Sequence, residues 1–385
     1  MGDSRQDRRH FAPEEFTRYS RQLQLPSFGL EGQTRLASAS VLIVGAGGLG
    51  SPAALYLAAA GIGTIGIVEF DRVDMSNLHR QILYSSADVG RRKIEVVRER
   101  IVAANPYVAV ECFDTRLISD NALTIMDGFD VVIDASDNFP TRYLVNDAAL
   151  ILGMPCVYGS VHRFEGQLSV FGVEGGPCYR CLFRDPPPAG SVPNCAEAGV
   201  LGVLPGTIGM LQATEAIKLV TSMGQPMTGR LLLFDALAMS FRTIQLKRDP
   251  DCPSCGGPGH PTLVDYEQLC GASSDSSEEE VRSILPAQLE DRLERGDDID
   301  LVDVRERYEW EIGRIAGARL VPLATLDDEL ESFRRRREIV IYCKSGVRSL
   351  EAARRLASFG IDNVSNLAGG ILRWREDVDQ DIPLY

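Results

Sequence analysis

Residues 41–71, VLIVGAGGLGSPAALYLAAAGIGTIGIVEFD, limit the possible folds more than any other stretch of the chain. Val41 to Val44 are apolar and predict a buried strand. GAGGLG follows, with Gly45, Gly47 and Gly50 at the GxGxxG positions and Gly48 between them. Ser51–Ala60 is rich in alanine and suits a helix packed close to a sheet. Thr64–Phe70 predicts a second strand, which ends at Glu69 and Asp71. Strand, glycine turn, helix and acid-tipped strand form a nucleotide-binding βαβ unit, which makes the fold class α/β with a Rossmann-like first domain. The glycines let the backbone approach a phosphate, and the helix N-terminus offers unpaired N–H groups there. Glu69 can accept hydrogen bonds from ribose hydroxyls. NAD and ATP both satisfy this unit.

The next segment favours the triphosphate. A long polar loop carries Asn77 and Arg80 where a third Rossmann strand would normally follow, and Lys93 opens an amphipathic helix (Ile94, Val97, Ile101). Cations beyond a phosphate turn suit a triphosphate better than a dinucleotide. Arg91 and Arg92 read as surface charge. Upstream, Arg18 and Arg21 lie three apart and predict one face of a short helix. Residues 106–118 alternate as a strand. Residues 130–138, DVVIDASDN, predict a buried strand ending in Asp134, Asp137 and Asn138. Carboxylates at such an edge sit where open α/β sheets bind ligands. Asp137 can hold Mg²⁺ through oxygen or cap the helix that Arg142 begins; Asp134 reads as structural.

Composition sets limits on the partners. The formal net charge of −14 argues against a general nucleic-acid binder. No apolar run approaches the ~18 residues of a membrane span. The opening residues, MGDSRQDRRH, carry no secretory h-region and read, to residue 12, as a disordered leader. Nine cysteines without a secretory signal point to a reducing, cytoplasmic setting in which thiols serve metal or chemistry. Cys178-Tyr-Arg-Cys181 and Cys252-Pro-Ser-Cys255 form two CxxC pairs, which predict a four-thiolate structural zinc site. Between them, Cys195 follows a Pro/Gly-rich loop, as either a nucleophile or an incidental thiol, ahead of an apolar helix (Ile208–Val220).

Residues 270–280, CGASSDSSEEE, predict a flexible linker, so the domains divide as 13–269 and 281–385. In the second, IDLVDVRE and EIVIYC predict buried strands. The latter runs into the loop KSGVR and the helix SLEAARRLASFG. Cys343 therefore sits at a strand end before a helix N-terminus, where loop N–H groups, Lys344 and Arg348 favour a thiolate. The closing NVSNLAGGILRW adds a strand, a GG turn and Trp374. Arg334 to Arg337 predict a solvated turn.

These motifs match known families. On RYSRQ, GAGGLGSPAA, EFDRVDMSNLHRQ, the Lys93 helix, DASDN and both CxxC pairs, residues 13 to about 255 resemble the MoeB/ThiF group. That group is related to ubiquitin-activating enzymes and adenylates ubiquitin-like sulfur-carrier proteins. On LVDVRE, YCKSGVRS and NLAGGILRW, residues 281–385 resemble a rhodanese domain. The pairing is similar to the fused adenylyltransferase/sulfurtransferases, the molybdopterin-synthase sulfurylases.

The resemblance implies that Gly48, Glu69, Arg80, Lys93 and Asp137 bind ATP, Asp137 with Mg²⁺, and that Asn77 helps to fix the nucleotide. Arg21 would reach into the partner subunit's site of a homodimer. The four paired cysteines would hold Zn²⁺, and Cys343 would carry a persulfide. Cys195 matches a crossover-loop cysteine needed for sulfur transfer in some members and dispensable in MoeB. The implied partners are a ubiquitin-like carrier with a C-terminal Gly-Gly and a sulfur donor, either a cysteine desulfurase or thiosulfate. Glu69 stands where MoeB has aspartate, and GRIAGA, with Arg314 and Ala316, replaces the usual GHIPGA. Three other functions compete: a zinc-containing NAD-dependent oxidoreductase, a non-catalytic scaffold that binds a ubiquitin-like partner beside an inert rhodanese fold, and ubiquitin-type activation ending in a Cys195 thioester with an inactive rhodanese domain.

Overall fold

A computed structural model describes residues 10–187, 199–257, 261–271, 281–334 and 338–383. The chain divides after residue 272 into two compact units. The first is built on an eight-stranded sheet: β1 (Ser40–Val44), β2 (Thr64–Val68), β3 (Ala109–Phe113), β4 (Val131–Asp134), β5 (Cys156–His162), β6 (Glu165–Phe171), β7 (Arg230–Asp235) and β8 (Ser240–Gln245). Their order is β3-β2-β1-β4-β5-β6-β7-β8. The first five strands are parallel, and β6 to β8 run antiparallel.

Side chains of a strand alternate between faces, and β1 divides its residues accordingly. Val41 and Ile43 join a core containing Ala53, Ala54 and Leu57 of the helix Gly50–Ala60. Leu42 and Val44 join a second core with Tyr143, Leu144 and Ala148 of the helix Phe139–Leu152. Helices thus cover both faces, which is why β1 reads as one continuous apolar run.

Several elements differ from the sequence expectations. The acid-tipped strand stops at Val68, so Glu69 and Asp71 lie just beyond it. The strands expected over 106–118 and 130–138 shorten to β3 and β4, and the helix expected at Ile208–Val220 spans Val203–Thr221. Arg18 and Arg21 do not share a helix, because Pro13–Arg18 and Ser20–Leu23 are separate. The break falls at Tyr19, which is buried and accepts a hydrogen bond at its hydroxyl from Asn105 Nδ2 at 2.8 Å. Arg18 instead donates to the Ala104 carbonyl at 2.9 Å, closing the end of the helix Lys93–Ala104. The hairpin of β7 and β8 has no counterpart among the sequence motifs. Cys270 and Gly271 close the helix Tyr266–Gly271 rather than open a linker; residues 272–280 lie outside the described residues.

The second unit holds five parallel strands: β9 (Arg282–Ile284), β10 (Ile299–Asp303), β11 (Arg319–Leu320), β12 (Glu338–Tyr342) and β13 (Val364–Leu367), in the order β11-β10-β12-β13-β9. Central β12 delivers Cys343 to the start of the loop before the helix Val347–Ser358. Trp374 is buried in this unit's core. No helix among the described residues is long and apolar enough to cross a membrane.

Candidate functional site

The C-terminal ends of β1 to β4 open into one cleft, which encloses roughly 970 Å³ including its open mouth. It lies where strand order reverses between β1 and β4, the switch point at which open α/β sheets take ligands. Gly45 bends the chain out of β1 with φ of 93°, a left-handed conformation that favours glycine. Gly50 does not line the cleft. A Cβ there would stand 1.9 Å from the Gly45 carbonyl oxygen, so only glycine lets the helix start this close to the turn.

The turn between them is held from below. Glu69, buried just past β2, accepts the Ala46 N–H at 3.0 Å through Oε2 and the Phe70 and Asp71 N–H groups at 2.9 Å through Oε1. The Ala46 carbonyl accepts from the Tyr84 hydroxyl at 2.8 Å and from Ser51 Oγ at 3.2 Å. Burial, and then the Glu69 and Asp71 carboxylates, push the Tyr84 phenol far up, so it stays a proton donor.

Around the turn stand Arg80, Lys93, Arg116 and Arg142, with the acids Asp71 and Asp137. Lys93 is buried with Nζ 3.2 Å from Asp71 Oδ2, which is half-exposed. Arg80 donates to the Ser76 carbonyl at 3.1 Å and to Asn77 Oδ1 at 3.0 Å. The helix Phe139–Leu152 is capped by Asn138, whose Oδ1 accepts the Thr141 N–H at 3.0 Å. The cap expected at Asp137 therefore belongs to its neighbour, and Asp137 is exposed in the cleft. One carboxylate beside a phosphate-sized turn is the donor set Mg²⁺ commonly uses with nucleotides. Gln81 supplies an independent sign of a ligand. Its Oε1 is buried against the cleft with no hydrogen-bond partner among the described residues, a position that a ligand hydroxyl or amine would satisfy.

The four paired cysteines converge. Cys178 Sγ lies 4.0 Å from Cys181 Sγ and 3.5 Å from Cys252 Sγ, and Cys181 Sγ lies 3.4 Å from Cys255 Sγ. All four sulfurs fall within 4.8 Å of one another. Sulfurs at about 2.3 Å from a tetrahedral zinc form edges of about 3.8 Å, so the cluster fits that ion.

In the second unit, Cys343 is buried, and its Sγ accepts the Gly346 N–H at 3.1 Å and the Ser349 hydroxyl at 3.4 Å. Arg348 does not act as a free cation beside it. Its guanidinium makes paired 2.7 and 2.8 Å hydrogen bonds to buried Glu309, which offsets much of the charge expected to favour a thiolate. Arg314 lies 5.0 Å above the Trp310 ring.

The ThiF family model matches residues 19–254, well over half of the chain. The chain belongs to the ThiF family. Its second unit is a rhodanese-like domain, matched over residues 285–377. Among its relatives, a probable adenylyltransferase/sulfurtransferase MoeZ of Mycobacterium tuberculosis is 46% identical over 97% of this chain and 96% of its own. The adenylyltransferase and sulfurtransferase MOCS3 of Anopheles gambiae is 41% identical over 97% of this chain and 89% of its own. A sulfur carrier protein adenylyltransferase of Thermus thermophilus is 56% identical over 67% of this chain and 97% of its own. A crystal structure of E. coli MccB, at 22% identity, superposes with a TM-score of 0.57 over 63% of this chain and 75% of that one, which speaks for the fold alone. The oxidoreductase and thioester alternatives gain no support from these relatives.

In this ThiF-family chain, Gly45, Gly47, Gly48, Glu69, Arg80, Lys93, Asp137 and Asn138 all line this cleft. Asn77 does not; its Oδ1 accepts from Arg80 and from Gln81 Nε2, so it stands behind the cleft wall. Arg21 is exposed on Ser20–Leu23 and does not line its own chain's cleft. Cys195 lies outside the described residues. Gln81 and Arg116 were not singled out by sequence. Gln81 closes the EFDRVDMSNLHRQ motif, which assigns it no role of its own; Arg116, 4.8 Å from the Phe70 ring, follows a strand with no motif.

Proposed function

We propose that this chain uses ATP to adenylate the C-terminal glycine of a ubiquitin-like sulfur carrier ending in Gly-Gly, and then passes sulfur from Cys343 to make a thiocarboxylate. The carrier carboxylate attacks the α-phosphorus, the bond to the bridging oxygen breaks, and pyrophosphate leaves. No general base is needed, because the carboxylate is already ionised; the site must position the reactants and offset charge. Arg80 and Lys93 supply cations, and Arg21 adds another from the second subunit of a homodimer. Asp137 would hold Mg²⁺, which offsets phosphate charge when bound. Cys178, Cys181, Cys252 and Cys255 would hold a structural Zn²⁺, with no position open for water.

The terminal sulfur of a Cys343 persulfide, loaded by a cysteine desulfurase or thiosulfate, attacks the acyl carbon, and AMP leaves. The acyl disulfide is opened by the Cys195 thiolate at Cys343 Sγ, which frees the thiocarboxylate. A small thiol then reduces the Cys195–Cys343 disulfide. The adenylation domain spans 13–271, to the end of the helix Tyr266–Gly271, the rhodanese domain spans 281–385, and the setting is the reducing cytoplasm.

The observation that carries this proposal is the meeting of Arg80, Lys93 and Asp137 around the Gly45–Gly50 turn in one cleft. The test is mass spectrometry of a Gly-Gly-tailed carrier incubated with the chain, ATP and thiosulfate. Replacement of one carrier oxygen by sulfur is expected; a carrier of unchanged mass overturns the proposal.

A further inference from the structure

Beneath the cysteine cluster lies a buried carboxylate that the adenylation chemistry does not use. Asp147, on the helix Phe139–Leu152, is 2% exposed. Two of its neighbours come from the two CxxC pairs, one from each. Arg180, the residue before Cys181, donates through Nη2 to Oδ2 at 2.9 Å and through Nε at 3.2 Å. Ser254, the residue before Cys255, donates through Oγ to Oδ1 at 2.8 Å. The two knuckles are 74 residues apart in sequence, yet the same position in each binds the same side chain. Asn146 completes the anchor: its Oδ1 accepts the Tyr179 N–H at 2.8 Å, and its Nδ2 donates to Asp147 Oδ1 at 2.8 Å. Tyr266, which belongs to neither knuckle, donates to Oδ2 at 2.7 Å.

We infer that Asp147 is the positioning residue of the metal centre, a carboxylate that sets the spacing of both knuckles and so retains the ion. This rests on the assignment of zinc to the four cysteines. Tetrahedral ligation tolerates little error in ligand placement, and residues that orient ligands typically govern metal affinity by 10–100-fold. Here the orientation passes through the two residues at the same motif position, so one carboxylate places both halves of the site.

The experiment loads the full-length chain with zinc, confirms one equivalent by elemental analysis, and follows zinc release to a chromogenic chelator. Ser254→Ala and Tyr266→Phe each remove one hydrogen bond from the same buried carboxylate, but only Ser254 lies on a knuckle. Release is expected to be several-fold faster in Ser254→Ala and unchanged in Tyr266→Phe, with urea midpoints of the two variants alike. Asp147→Asn is expected to release zinc about tenfold faster or more; should it fail to fold, the Ser254/Tyr266 pair decides. Wild-type release from Ser254→Ala, or equal acceleration in both variants, overturns the positioning role while leaving the zinc assignment intact. Absence of zinc from the loaded wild type overturns both.

Discussion

Glu69 Oε2 accepts the backbone N–H of Ala46 at 3.0 Å, so the acid at the end of β2 fastens the glycine turn at the end of β1. The shape of the phosphate-sized loop therefore depends on a side chain expected to face the ribose. Glu69→Ala strands the buried Ala46 N–H, at a cost of about 1–3 kcal/mol, and also frees the part-buried Phe70 and Asp71 N–H groups, which water can reach. It should lower the urea midpoint and weaken ATP binding by an order of magnitude or more, read by calorimetry. Wild-type affinity in this variant would show that the loop holds its shape unaided.

Asp137 presents the opposite case. It is exposed, and the helix it precedes is capped by Asn138. Asp137→Ala should leave stability within about 0.5 kcal/mol of wild type while carrier-dependent ATP–pyrophosphate exchange falls at least 100-fold. A parallel loss of stability and exchange would mean that Asp137 supports the fold rather than the chemistry.

Cys343→Ala separates the two stages. It removes the sulfur that accepts the Gly346 N–H and changes none of the residues that line the first unit's cleft. Adenylate formation should persist and thiocarboxylate should vanish, as read by mass spectrometry of the carrier. Thiocarboxylate from this variant would move the sulfur-bearing role to another cysteine.

Acid stability is expected to have a local origin at Asp88. Hydrogen bonds from the Ser85 hydroxyl and N–H, with help from Arg100, hold this buried carboxyl down from 3.8 to about 2. As pH falls below 4 the unfolded chain takes up this proton first. The stabilisation is thus full above that pH and is lost on the way to 2. Urea midpoints should drop across this window in the wild type and more shallowly in Asp88→Asn; identical slopes would place the acid sensitivity elsewhere.

What could be read from the sequence was what the local backbone demands. The GxGxxG turn, both CxxC pairs and the Cys343 loop each need particular residues at fixed spacing, and all occur in the structure where their motifs place them. The helix break at Tyr19 was hidden because it depends on Asn105, 86 residues away. The choice between Asp137 and Asn138 as cap was hidden because both side chains suit the position. Asp147 carries no motif at all; its role is defined only by Arg180 and Ser254, which folding brings to it.

The helix Phe139–Leu152 is thereby pinned at two points, by Asn138 at the cleft and by Asp147 under the knuckles. Removing or adding one residue between them would swing the carboxylate by about 100° around the helix axis. This stretch works as a ruler: substitutions on its surface can drift, but its length is not free to change.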